Sequence, residues 1–142
     1  MTSSNLKSTL RTFMEQVWNN GNFSRIEEFV ATRYEIKNDP GDPWDGQTLT
    51  ITTFKERVLY SRNAFPDLHF EIQEMIEEQG KVAVSWLMSG THKGDLPQLP
   101  ATGKSFSISG ITLYYFEGGK LCGHTQAFDR LGFLSQMEFS RR

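Results

Sequence analysis

The strongest constraint on this chain is a pair of β-patterned runs between Lys104 and Phe128 that meet at two glycines. Lys104–Phe116 (KSFSISGITLYYF) is dense in β-branched and aromatic residues, which suit a pleated, half-buried surface. Glu117-Gly118-Gly119-Lys120 interrupts the run, and glycine turns readily because it accepts positive φ. Leu121–Phe128 (LCGHTQAF) returns as the partner strand, so the stretch predicts a long hairpin. Asp129 follows, with Ala127 and Phe128 before it and Leu131 and Phe133 after it. A carboxylate with apolar sequence neighbours on both sides is either ion-paired scaffolding or a working acid/base.

The earlier half of the chain has a different period. Leu6, Leu10, Phe13, Met14, Val17 and Trp18 recur at three and four, which predicts a helix from Asn5 to Asn20 with Ser4 or Asn5 as its cap. A second, short helix follows, with Phe23, Ile26, Phe29 and Val30 inward, and Tyr34–Asn38 reads as a short strand. Asp39-Pro40-Gly41-Asp42-Pro43 is a turn-rich loop, because proline fixes φ and aspartate satisfies local backbone donors. A third helix is expected over Thr48–Ala64, ended by Phe65-Pro66-Asp67. From Leu68 the period becomes two. Leu68, Phe70 and Ile72 form one strand, Gln79-Gly80-Lys81 a turn, and Val82, Val84, Trp86 and Met88 the next strand. Helices first and a long antiparallel meander afterwards predict an α+β fold, with helices gathered on one face of a curved sheet.

At 142 residues the chain is most simply one domain spanning residues 1–142. A net charge of -2 supplies no long-range attraction for nucleic acid or an anionic membrane, so neither partner is expected. The first residues, Met1-Thr2-Ser3-Ser4-Asn5, lack the apolar core of a signal peptide, and the single cysteine, Cys122, cannot form an internal disulfide. Both point to a reducing, cytoplasmic location.

Strand parity assigns candidate roles within the last hairpin. If Asp129 faces a pocket, then Gly123, Thr125 and Ala127 share its face, while His124, Gln126 and Phe128 look the other way. Thr125 then lies on a roomy pocket floor, and His124 falls outside the cavity as a sheet-face hydrogen-bonding group. Tyr114 and Tyr115 have opposite parity, so one of them can point inward and donate a hydrogen bond there; Tyr115 is taken as the pocket residue. Trp18, Trp44, Phe54 and Trp86 are the other candidate pocket residues, with core packing the competing role for Trp18 and Trp86. His69, His92 and His124 stand isolated, without carboxylate or cysteine at ligand spacing, so no metal site is expected.

Six pieces of the chain carry a family resemblance. They are Val17-Trp18-Asn19-Asn20-Gly21-Asn22, Phe65-Pro66-Asp67-Leu68, Gly90-Thr91-His92-Lys93-Gly94, Thr102-Gly103-Lys104, Gly119-Lys120-Leu121, and the stretch from His124 through Ala127-Phe128-Asp129-Arg130-Leu131-Gly132. In this order and spacing the chain resembles the SnoaL-like polyketide cyclases, often labelled ester cyclases, of the nuclear transport factor 2-like superfamily. The resemblance covers nearly the whole chain. It implies a cone-shaped barrel in which a curved, mainly antiparallel sheet surrounds a pocket closed by the N-terminal helices. It implies an intramolecular aldol ring closure without metal or cofactor: a base removes a proton beside an ester, and the enolate attacks a ketone of the same molecule. Asp129 matches the family's proposed acid/base. The implied substrate is a small, hydrophobic carbonyl compound, and the implied assembly is a homodimer. In one respect the chain departs from its relatives. The residue after the last-strand histidine is commonly Trp in the family and is Thr125 here, so the substrate does not carry over. Two alternatives stand beside this reading. One is a protein that only binds a small hydrophobic ligand. The other is an epoxide hydrolase of the same fold, which would need two aspartates around one arginine.

Overall fold

The computed structural model describes residues 5–138. A six-stranded, curved and unclosed sheet carries four α-helices, and its strand order is β2-β1-β6-β5-β4-β3. The strands are β1 (Val30–Asn38), β2 (Thr48–Leu49), β3 (His69–Glu78), β4 (Lys81–Thr91), β5 (Ser105–Glu117) and β6 (Lys120–Phe128). The helices are α1 (Leu6–Phe13), α2 (Ile26–Phe29), α3 (Ile51–Ala64) and α4 (Arg130–Glu138). The four long strands β3 to β6 form the expected antiparallel meander, and β5 and β6 are the hairpin read at the outset. β1 closes the far side by pairing parallel to β6, which the sequence pattern did not show.

Each element follows from its local chemistry. The stripe of α1 buries Leu6, Leu10 and Phe13, and the helix then widens into a π-helical turn over Met14–Asn19. Asn5 precedes α1 without a side-chain cap, and Ser4 lies outside the described residues. α3 starts later than the sequence suggests. Thr48–Leu49 pairs with Tyr34 and Glu35 as β2, in keeping with its β-branched residue, and Thr50 then caps the helix in a reciprocal pair with Thr53. The motif residues Trp18-Asn19 lock this end of the helix layer to the sheet. Asn19 exchanges two hydrogen bonds with the Phe70 backbone at 3.0 and 2.7 Å, standing in for a missing strand partner. Arg62 donates to the Trp18 and Asn19 carbonyls, satisfying helix-end groups that have no intrahelical partner.

α4 was not foreseen. Asp129 accepts the Gly132 backbone N–H at 2.8 Å, as an N-cap does, and α4 folds back over the sheet. Gln136 then exchanges two hydrogen bonds with Ser107 on β5, and Lys104 donates to the Met137 carbonyl.

Strand parity in β6 is the reverse of the expectation. β6 ends at Phe128, and Asp129 leaves the sheet to cap α4, so period two does not extend to the acid. The concave rows run Val82–Tyr114–His124, Val84–Thr112–Gln126 and Trp86–Gly110–Phe128 across β4, β5 and β6. The convex rows run Ile76–Ala83–Leu113–Thr125 and Ser85–Ile111–Ala127. Thr125 therefore sits on the outer face, where its hydroxyl lies 3.3 Å from that of Tyr115.

Gly123 permits the parallel pairing. A Cβ added there would meet the Glu35 carbonyl oxygen of β1 at 2.5 Å, a collision with backbone that cannot move aside. Gly123→Ala is expected to lower unfolding free energy by roughly 1–3 kcal/mol, an overpacking cost. Urea titration followed by circular dichroism measures it, and an unchanged midpoint would show that β1 does not depend on this approach.

Candidate active site

The concave face of the sheet, α3, α4 and the 95–99 loop enclose a cavity of about 560 Å³. Its walls are largely aromatic and sulfur-bearing: Trp18, Phe70, Trp86, Met88, Phe128 and Phe133. The π-helical turn brings both Met14 and Trp18 to this wall, and such turns often occur at functional sites. At the β1 end the wall becomes polar, where Asp39, Asp42, Arg57, Tyr114, His124 and Gln126 meet.

The turn after β1 builds that end. Asp39 N–H donates to the Asp45 carboxylate at 2.7 Å, Asp42 N–H to the Asp39 carbonyl at 3.0 Å, and Trp44 N–H to the Asp42 carboxylate at 2.8 Å. Gly41 takes φ of 91°, which proline-flanked aspartates could not supply. These bonds aim both carboxylates at α3. Arg57 Nε donates to Asp42 Oδ2 at 2.9 Å, and Nη2 donates to Asp39 Oδ2 at 3.1 Å. Arg57 is 6% exposed and Asp39 1%, so the ion pair is buried. Burial alone would lower the Arg57 pKa; Asp42, Tyr34 and Asp39 outweigh it, and the net shift is upward.

His124 completes the network. Its Nε2 lies 2.8 Å from Asp39 Oδ2, and its Nδ1 lies 2.6 Å from the Tyr34 hydroxyl. Burial pushes the Tyr34 phenol well above its usual range, so it stays protonated and donates to Nδ1. The imidazole hydrogen therefore sits on Nε2 and donates to Asp39. Burial also lowers the His124 pKa below 6.5, more than the Asp39 hydrogen bond raises it, so the ring is neutral at neutral pH. Two carboxyl groups then face one guanidinium, with a neutral imidazole beside them. Asp39 Oδ2 is crowded by His124, Arg57 and Gln126. Asp39 Oδ1 receives only a 3.3 Å contact from Gln126 among the described residues, and so keeps lone-pair capacity.

Tyr114 stands beside this carboxylate, with its ring 5.9 Å from that of His124. Burial raises its pKa, and its hydroxyl makes no hydrogen bond among the described residues. It is a protonated donor facing the cavity.

The sequence candidates divide cleanly. Trp18 and Trp86 line the cavity. Phe54 lies beneath it in the core, 4.8 Å from the Tyr34 ring. Trp44 packs on Tyr60 from outside, at 5.4 Å, and supports a wall residue without forming the wall. Tyr115 and Thr125 are on the convex face; Tyr114 and His124 take the inward places instead. Asp129 is exposed at the start of α4 and is not among the wall residues, although its neighbours Phe128 and Arg130 are. His92 is buried and bonded through Nδ1 to Thr102, as a loop anchor would be. The residues missed were Asp39, Asp42, Arg57 and Gln126. One signal existed: Arg57 shares the 54, 57, 58, 61 stripe with Phe54 and Val58, so a charge sat on an apolar helix face.

Comparison with known proteins agrees with this architecture. The model of the SnoaL-like polyketide cyclase family matches residues 8–137. An aklanonic acid methyl ester cyclase of Streptomyces peucetius is 29% identical over 126 residues, covering 87% of this chain and 85% of that protein. A crystal structure from Acidithiobacillus ferrooxidans, assigned to the polyketide cyclases, is 42% identical and superposes with a TM-score of 0.90 over 98% of each chain. A SnoaL-like protein from Jannaschia, 16% identical, shares the fold with a TM-score of 0.80 over 94% of this chain and 92% of its own. The matched span contains the whole sheet and the polar residues at the β1 end of the cavity, and the chain belongs to the SnoaL-like polyketide cyclases, a family of enzymes.

Proposed function

We propose that this enzyme closes a ring by intramolecular aldol addition in a small aromatic ester, with Asp39 as the acid/base. One observation carries the reading: a buried carboxylate, held by Arg57 and His124, lines an aromatic cavity beside the Tyr114 hydroxyl, which has no partner among the described residues. Asp39 Oδ1 takes the proton from the carbon next to the ester carbonyl. The enolate oxygen develops negative charge and accepts a hydrogen bond from Tyr114. The enolate carbon attacks the ketone of the same molecule, folded by the aromatic walls, and the new alkoxide recovers the proton from Asp39. Arg57 and His124 keep the carboxylate in place throughout.

Aklanonic acid methyl ester, named for the Streptomyces peucetius relative, is the first compound to assay. Asp39→Asn is expected to lose roughly 10²–10⁴-fold in turnover, and Tyr114→Phe about 10²–10³-fold. Tyr115→Phe and Asp129→Asn are expected to turn over near the wild-type rate. The reverse pattern, with Asp129→Asn folded but inactive and Asp39→Asn active, would move the acid/base role to the residue that the family resemblance indicates.

A second reading is favoured by the bridging of Asp39 and Asp42 by one guanidinium. Two carboxylates around an arginine can hold and activate a water for epoxide opening. That chemistry needs both acids as proton carriers, whereas in ring closure Asp42 acts only through Arg57. Asp42→Asn should therefore abolish diol formation from an aryl epoxide if the hydrolytic reading holds, and only weaken cyclisation if it does not.

A homodimer through the convex sheet face is part of the same proposal. Ile76 and Ile111 are 68% and 58% exposed there, beside Ala83, Ser85 and Ala127. Such a patch is stabilised by self-association. Light scattering at micromolar concentration should give twice the 16.3 kDa chain mass, and Ile111→Glu should halve it. A wild-type monomer would reject the interface.

The site also predicts a pH dependence. His124 has a lower pKa folded than unfolded, so below about 6.5 the unfolded chain binds the proton that the folded chain refuses. Stability from this group is complete above that value and is lost as pH falls below it. His124→Gln should flatten the slope of unfolding free energy between pH 7 and 5.5, read by urea titration. An equal slope in both proteins would show that His124 is not the group responsible.

A further inference from the structure

The cavity wall contains a directional hydrogen-bond chain that the acid/base step does not use directly. Trp86 Nε1 donates to Thr112 Oγ1 at 2.9 Å, Thr112 Oγ1 donates to Gln126 Oε1 at 2.7 Å, and Gln126 Nε2 donates to Asp39 Oδ2 at 3.2 Å. Thr112 is fully buried, between Val84 and Gln126 in the concave row. Trp86 is placed to start the chain because its ring lies over Gly110, where any Cβ would collide with it.

The direction of the chain follows from donor and acceptor counts. An indole N–H can only donate, so Thr112 Oγ1 must accept from Trp86. The single hydroxyl proton is then free to point only at Gln126, which must present its carbonyl oxygen. The Gln126 NH₂ is thereby turned toward Asp39. The reversed amide would set a carbonyl oxygen against the carboxylate and leave the Thr112 proton without an acceptor in a buried site, both costly.

We infer that Thr112 is a positioning residue that anchors the carbonyl end of the Gln126 amide and so holds its NH₂ on the Asp39 carboxylate. The inference deepens the proposed reaction and rests on Asp39 as its base. An amide donor at 3.2 Å favours the charged carboxylate, the form that accepts the carbon proton. Trp86 both lines the cavity and sets the chain, so the wall that packs against the substrate also orients the polar group at the base.

Thr112→Val keeps the side-chain shape and removes the hydroxyl, whereas Thr112→Ser restores it. In wild type and Thr112→Ser, Gln126 Nε2 and His124 Nε2 share one carboxylate oxygen, so a nuclear Overhauser contact should link the Gln126 amide protons to the His124 ring. Thr112→Val should lose that contact. Its kcat on the aromatic ester should fall at unchanged KM, and the acidic limb of its pH–rate profile should move up by about one unit, the scale of one charge-assisted hydrogen bond. Thr112→Ser should match wild type in all three. If Thr112→Val does not fold, Trp86→Phe tests the same point through the Overhauser contact alone, because the hydroxyl loses its donor and is free to turn while the altered cavity wall changes KM independently. Retention of the Overhauser contact with an unshifted profile in the folded variant would overturn the inference. Loss of the contact in Thr112→Val, with full turnover in Asp39→Asn, would leave the positioning intact and remove Asp39 from the chemistry.

Discussion

A guanidinium buried to 6% exposure cannot be left alone, and the architecture of this protein answers to that constraint. Removing an arginine from water costs several kcal/mol even after relaxation, and only close, well-satisfied partners offset it. Arg57 finds two, Asp39 and Asp42, on a turn that holds them through its own backbone. That turn exists because β1 ends at Asn38, and β1 is held in place by its parallel pairing with β6. The same pairing sets Ile36 opposite His124, which brings the imidazole beside Asp39. One ion pair thus ties together a helix, a turn and the parallel strands β1 and β6.

The arrangement suits catalysis because it leaves one carboxylate oxygen unsaturated while saturating the other. A buried acid whose lone pairs were all occupied would be scaffolding only. Here Oδ2 takes the bonds from His124 and Arg57, and among the described residues Oδ1 accepts only from Gln126, at 3.3 Å. The neutral imidazole contributes a donor without adding a second positive charge. Phenols kept protonated by burial behave alike on both sides: Tyr34 spends its proton on His124, and Tyr114 keeps its own available. The low dielectric that makes the ion pair expensive also strengthens each of these bonds.

Much of the fold was legible because it rests on local periodicity. The Gly118-Gly119 turn, the change of period at Leu68 and the helical stripe of residues 6–18 are properties of neighbouring residues, and all three elements form as read. The site was less legible because it rests on contacts between residues far apart in sequence. Asp39 and His124 are 85 positions apart, and Arg57 and Asp39 are 18 apart. Asp39 and Asp42 read as turn formers, which they are, and nothing local distinguished their second task. The inversion at His124 has a single cause. Period two was extended one residue too far, through Asp129, and a slip of one residue exchanges the two faces of a strand. Had Phe128 been taken as the last strand residue, Tyr114, His124 and Gln126 would have fallen inside together.

Asp129 shows why a motif match and a chemical role must be argued separately. Its carboxylate accepts the Gly132 N–H and so starts α4, and a Cβ at position 132 would oblige that carboxylate to turn away from its capping position. Helix capping thus accounts for the spacing of Asp129 and Gly132. The helix it starts is not incidental, since α4 supplies Phe133 to the cavity wall and buries Met137 against the Thr102 hydroxyl. A structural requirement of this kind constrains sequence as tightly as chemistry does. Among the described residues Asp39 combines burial, fixed orientation, an oxygen with spare lone-pair capacity and a neighbouring phenol, and the proposed role as base rests on that combination.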